Sequence, residues 1–204
     1  MHELLVRWQR GWSLSRGWMD YDETDGVIVV RVGEPDREVE YLTTPAYAAR
    51  AARLALTTPG TTRLTVLASD PDAVAKSIHP LTVRAIPRIM TIPLADHPHH
   101  PIPPEYELHL TAGPTVIRAE LHHAGEPVAS GHLALHGSDA VPDLIHTEPA
   151  HRRRGLAAAL MTALTTQART QGATTGLLAA SPEGQFLYDA LGWTPSYHLV
   201  FATT

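Results

Sequence analysis

The sequence predicts an α/β fold built on a mixed sheet, and three observations carry the prediction. Runs of β-branched residues alternate with helical stripes along most of the 204 residues. A strand, a tight turn and a long amphipathic helix follow one another across 141–171. A stretch with five prolines in twelve positions, 93–104, separates a front half, 1–92, from a back half, 105–204.

In the front half, Leu4, Leu5, Trp8 and Trp12 fall on one stripe of a short helix ending between Gly11 and Gly17. The runs 27–32 and 38–42 flank Gly33-Glu34-Pro35-Asp36 and read as a hairpin. Pro45 opens an alanine-rich helix to about Leu56, 63–68 reads as a strand, and Asp70 caps a short helix over 70–76. An extended stretch broken by proline covers 83–92. The segment 93–104 is too proline-rich for a regular ladder and reads as a linker.

In the back half, strands are expected at 106–111, 115–122, 128–136 and 141–147. A helix follows over 153–171, with Leu156, Leu160, Met161, Leu164 and Ala168 on one face and Gly172 as its stop. A strand at 175–180, a helix at 183–191 and a strand at 197–202 finish the chain. No internal repeat is legible.

Composition narrows the function. Hydrophobic residues make up 44% and charged residues 18%, as in ordinary globular proteins. A net charge of −5 gives no general attraction to nucleic acid or anionic lipid, so neither is an expected partner. There is no cysteine, which excludes disulfides, zinc-thiolate sites and thiol nucleophiles and suits a reducing, cytoplasmic location. Residues 1–8 are charged throughout, with no apolar run of signal-peptide or membrane-spanning length. Abundant Ala, Arg, Thr and Pro suggest a GC-rich bacterial source. The histidines, thirteen in all, lack ligand spacing: His97, His99 and His100 lie in the proline stretch, and His122 and His123 point to opposite faces of a strand, so no metal is expected.

Chemistry concentrates at 141–157. A turn from strand into helix presents unpaired N–H groups where the helix dipole favours an anion, a cradle for pyrophosphate. Gly155 admits close approach, Ala157 keeps the first helical turn uncrowded, and Arg152, Arg153 and Arg154 supply positive charge. Arg152-Arg153-Arg154-Gly155-Leu156-Ala157 resembles the coenzyme A signature of the GNAT acyltransferases, (Gln/Arg)-x-x-Gly-x-(Gly/Ala), at every fixed position. The segment 181–193 resembles that family's C-terminal part, in which a short helix carries a tyrosine ahead of a glycine-aromatic pair, here Tyr188 and Gly192-Trp193. Phe186, Leu187, Ala190 and Leu191 share a stripe, which leaves Tyr188 off it and able to face the cofactor cleft.

The resemblance implies a GNAT fold in the back half and acetyl transfer from acetyl-CoA directly to a primary amine of a small molecule in a ternary complex. Tyr188 would protonate the departing thiolate, and Ile145, His146 and Thr147 would offer backbone groups to the pantetheine and the acetyl carbonyl. Ser181 stands where many relatives have asparagine. For the amine's proton, Asp143, Glu120, His132 and His146 are all candidates. A coenzyme A-binding module without catalysis is the alternative, and the state is expected to be monomer or homodimer. In the family two helices follow the first strand and wall the acceptor pocket; here only Ala112-Gly113-Pro114 intervenes. The expectation is that 1–92 supplies the wall, as a degenerate second GNAT-like half or an unrelated lid, with Trp8, Trp12 and Trp18 near the cleft.

Overall fold

The computed structural model describes residues 1–204. Helix α1 spans His2–Arg16 and is followed by strands β1 (Tyr21–Thr24), β2 (Val27–Glu34) and β3 (Arg37–Thr43). Next come α2 (Ala48–Thr57), β4 (Thr62–Ala68), α3 (Pro71–Ser77), β5 (Thr82–Ala85) and β6 (Arg88–Pro93). The back half runs β7 (Glu107–Ala112), β8 (Val116–His123), β9 (Glu126–His136), β10 (Asp139–Thr147), α4 (Leu156–Thr170), β11 (Thr175–Ala180), α5 (Pro182–Ala190) and β12 (Thr194–Thr203).

Most expected elements are present, with four differences. β1 is additional; its residues, Tyr-Asp-Glu-Thr, are mostly exposed and lack a hydrophobic pattern. The stretch 83–92 is two strands, parted before Pro87. Pro45–Tyr47 is a 3-10 turn, with the α-helix following at Ala48. α4 begins at Leu156 rather than 153, because Arg153 and Gly155 both adopt left-handed backbone, φ 64° and 79°, which no α-helix tolerates.

All strands join one sheet in the order β1-β2-β3-β4-β12-β6-β11-β10-β9-β8-β7, with β5 against β12. The two halves follow the same path. β2–β3 and β9–β10 are antiparallel pairs; α2 then carries the chain to β4 parallel to β3, as α4 carries it to β11 parallel to β10. After a short helix, each half sends its last strand across: β6 pairs with β11, and β12 pairs with β4. β6 and β12 are antiparallel neighbours at the centre, so the sheet runs unbroken through both halves. Residues 97–103 lie along α4, where Thr162 Oγ1 accepts from His100 N (3.0 Å) and donates to Pro98 O (3.3 Å).

Alternation along the strands sorts the core into two faces. Leu42, Leu67, Ile89, Val141, Leu177 and Leu199 pack with Leu5, Trp8 and Trp12 of α1. Their neighbours point the other way: Met90, Ala140 and Leu178 toward α4 and α5, and Tyr41, Val66 and Val200 toward α2 and α3. One helix thus covers a face that spans both halves, opposite four others. Arg7 binds Asp139 and Arg16 binds Asp143, so α1 is tied to β10 by two ion pairs, one from its first half and one from its last residue. Between them, a Cβ at Gly11 would collide with the Val141 side chain, which shows how tightly helix and strand are pressed. We expect Gly11→Val to lower unfolding free energy by about 1–3 kcal/mol through overpacking, read as a lower urea midpoint at unchanged slope.

Candidate active site

β10 and β11 are parallel neighbours over only two pairs, Asp139 with Thr175 and Ala140 with Gly176. The corresponding strands of the front half, β3 and β4, stay paired over five, from Val39–Thr62 to Thr43–Val66. Beyond Ala140, β10 bends away: its register against β9 slips between Asp143 and His146, and Leu144 sits at φ 56°. The β11-facing edge of β10 is left without a partner strand.

A cleft of about 800 Å³ opens at this splay. It is bordered by Ile145, His146 and Thr147 from β10, by His151, Arg152, Arg153, Gly155, Leu156 and Ala157 from the turn and α4, and by Ser181 and Tyr188. Nine of the ten sequence-predicted cofactor residues therefore converge; Arg154 alone turns aside. Its guanidinium donates to the Tyr106 hydroxyl (3.1 Å) and to Ala150 O (3.2 Å), and that hydroxyl is also bonded to His151 Nδ1 at 3.1 Å. Arg152 donates from Nε to Thr147 O (3.0 Å), folding the turn back onto the strand end.

The turn is built to receive an anion. The first intrahelical bond of α4 runs from Ala159 N to Gly155 O, and no side chain caps the helix, so the N–H groups of Leu156, Ala157 and Ala158 are unpaired. Gly155 at φ 79° permits this shape, and a Cβ there would meet no atom within 4 Å, leaving open the space a phosphate would fill. Thr147 Oγ1 is buried without a partner at the cleft wall. These residues fit the pyrophosphate and pantetheine of a coenzyme A thioester.

Tyr188 borders the cleft as expected but is packed inward rather than off the stripe. It is the buried residue of α5, whereas Phe186, expected in the core, is 80% exposed at the cleft rim. The inward stripe is Gly184, Tyr188 and Leu191, because the tyrosine ring packs edge-on against Trp193 with centroids 5.9 Å apart. Its hydroxyl makes no hydrogen bond within the protein, and burial, then the negative charge of Asp143, raise its pKa above the ordinary value. Ser181 caps α5, its Oγ accepting from Gly184 N at 3.1 Å, so that oxygen is already engaged.

Of the expected bases, Glu120 is not at the site. On β8, Ala119 and Leu121 point into the core against α4, which sends Glu120 to the opposite face, where it accepts from His122 Nε2 at 2.9 Å. His132 borders neither the cleft nor the cavity described next, and its Nδ1 is buried without a partner. His146 is at the cleft, with Nε2 3.4 Å from Glu148 Oε1. Asp143 accepts from Arg16 Nε (2.6 Å), Arg16 Nη2 (3.1 Å) and Ser15 Oγ (2.9 Å). Burial opposes the charge on Arg16, but the hydrogen bond to Asp143 and the negative charges of Asp143, Glu34 and Glu40 together raise the arginine's pKa.

Behind the splay lies a second cavity, about 440 Å³, which shares Ser181 with the cleft. Asp143 and Pro142 form one end; α1 contributes Trp8, Trp12 and Arg16, and the front-half strands contribute Glu34, Arg37, Glu40 and Arg63. Glu40 is almost wholly buried, held by Arg37 Nη1 (2.9 Å) and Thr65 Oγ1 (2.6 Å). Arg37 lies over the rings of Trp12 and Trp18. Trp18 itself is core and does not border the cavity. Sequence reasoning missed Arg16, Arg37, Glu40 and Arg63, since no local pattern marks residues that meet only through the swapped strands.

Residues 85–193 match the family model described as the acetyltransferase (GNAT) family, and the chain belongs to that family. Among solved structures it is similar to a GCN5-related N-acetyltransferase from Kribbella flavida, at 17% identity over 99% of this chain and 94% of that one, TM-score 0.74. A GCN5-related N-acetyltransferase from Sphaerobacter thermophilus shares 12% identity over 98% and 91% of the two chains, TM-score 0.62. A tandem GNAT protein from the clavulanic acid biosynthesis pathway shares 15% over 87% and 78%, TM-score 0.62. At such identities the likeness is one of fold. No curated protein matches the sequence.

Replacing Gly155 by Glu puts a carboxylate into the cradle and a side chain on left-handed backbone. Acetyl-CoA at a hundred times its dissociation constant should add about 2.7 kcal/mol to the wild type, and we expect Gly155→Glu to lose that thermal shift.

Proposed function

We propose that this protein is an acetyl-CoA-dependent N-acetyltransferase that transfers acetyl directly to a primary amine of a small molecule. The observation that carries the reading is the pair of cavities meeting at Ser181 across the splayed strands; in this reading one takes the thioester and the other the acceptor. The front half, through α1 and strands β2–β4, supplies the acceptor wall in place of the family's two inserted helices. The shared strand path, and the likeness to a protein described as a tandem GNAT, support a degenerate second copy of the fold over an unrelated lid.

Acetyl-CoA supplies an activated acyl carbon. The residues supply position, polarity and a proton. The unpaired N–H groups at the start of α4, with Arg152 and Arg153, hold the pyrophosphate, and the free edge of β10 at 145–147 offers backbone groups to the pantetheine and to the negative charge that develops on the acetyl oxygen. As the new N–C bond forms and the C–S bond breaks, the thiolate takes the proton of Tyr188, which burial keeps on the phenol. The nitrogen releases its proton to water in the cavity and Tyr188 is reprotonated in turn. Asp143, with both oxygens taken up by Arg16, holds charge and orientation beside the splay.

Tyr188→Phe keeps the ring that packs on Trp193 and removes only the proton. We expect kcat to fall about 10²–10⁴-fold, measured as thiol release, with the acetyl-CoA thermal shift intact. An unchanged kcat would remove Tyr188 from the chemistry, and loss of the shift would assign it to binding.

A further inference from the structure

The charges of the second cavity indicate what its occupant carries beyond the amine, an inference that rests on reading this cavity as the acceptor site. Four carboxylates, Glu34, Asp36, Glu40 and Asp143, and three arginines, Arg16, Arg37 and Arg63, border it. Two of the arginines are neutralised in place: Arg16 by Asp143, and Arg37 by Glu40 and Glu34. Arg63 is not. Its side chain makes no hydrogen bond or ion pair in the chain, and the guanidinium rests 5.6 Å from the centroid of Phe201, another cavity residue.

Position adds to charge. Arg63 is on β4, while the junction with the thioester cleft is at Ser181, just past the end of β11. Between β11 and β4 lie β6 and β12, so three strand spacings, about 14 Å, separate the two strands sideways; the ladder sets Arg63 opposite Thr203, further along than Ser181, and its guanidinium lies against Phe201 of β12. A molecule with its amine at the junction reaches toward Arg63 with its far end. A carboxylate fits, since a free guanidinium takes it with two parallel hydrogen bonds.

We infer that the acceptor is an amine bearing a carboxylate several bonds from the reacting nitrogen, and that Arg63 binds that carboxylate. Arg63 sets specificity and touches none of the reacting atoms, so its removal acts on KM for the acceptor and leaves KM for acetyl-CoA alone.

The test is steady-state thiol release by the full chain with probe pairs that differ only in the carboxylate: ε-aminocaproate against hexylamine, and lysine against cadaverine, each with the wild type and Arg63→Gln. We expect the wild type to favour the carboxylated member by roughly ten- to a hundredfold in kcat/KM, the value of a charge-assisted contact, and Arg63→Gln to erase the preference through KM. Equal use of both members, or a preference that survives in the variant, would overturn the inference. Should acetyl-CoA raise the melting temperature while no probe releases thiol, the same pairs are compared by thermal shift with coenzyme A present; stabilisation that depends on neither the carboxylate nor Arg63 overturns it likewise. Absence of any acetyl-CoA shift in the wild type would instead defeat the functional reading beneath it.

Discussion

The parallel contact between β10 and β11 is shorter than its counterpart between β3 and β4, and the difference comes from one local distortion. Leu144 at φ 56° is an uncommon and costly state for a branched residue, about 1–2 kcal/mol. It survives because both flanks are fixed: Asp143 by Arg16 and Ser15, and His146 and Thr147 by their pairing to β9. The strand is bent where it must leave its neighbour, and the freed edge, the turn and the start of α4 then face one opening. The front half has the same path without the bend, and its sheet stays closed between β3 and β4.

Two kinds of information met at this site. The turn, its glycine and its arginines are contiguous, so local backbone demands wrote them into a short stretch of sequence. What α5 presents was harder to read. Its helix is nine residues long, and a stripe drawn from side-chain hydrophobicity put Phe186 inside and Tyr188 outside. Trp193 decides otherwise: its ring fills the space beside Gly176, and the tyrosine packs against it. Aromatic packing from a later residue outweighed local pattern.

The second cavity was not legible at all. Arg16, Arg37, Arg63 and Asp143 are separated by up to 127 residues of chain, and only the order of strands in the finished sheet makes them neighbours. The expectation that residues 1–92 form the missing wall followed from the short connection at Gly113, a covering argument that needs no knowledge of topology. The arginines of the triplet show a related limit, since Arg152, Arg153 and Arg154 look equivalent in sequence and only the left-handed turn at Arg153 sends the third toward Tyr106.

The crossing of β6 and β12 bears on how the chain is made as well as on what it forms. A ribosome releases β4 long before β12, the strand that covers its edge, has been synthesised. Until then β4 exposes a row of unpaired backbone groups beside apolar residues such as Leu64 and Val66, an edge open to pairing with another nascent chain. Closure of the front half awaits the last ten residues of sheet, so loss of the C-terminus would unmake the half farthest from it in sequence.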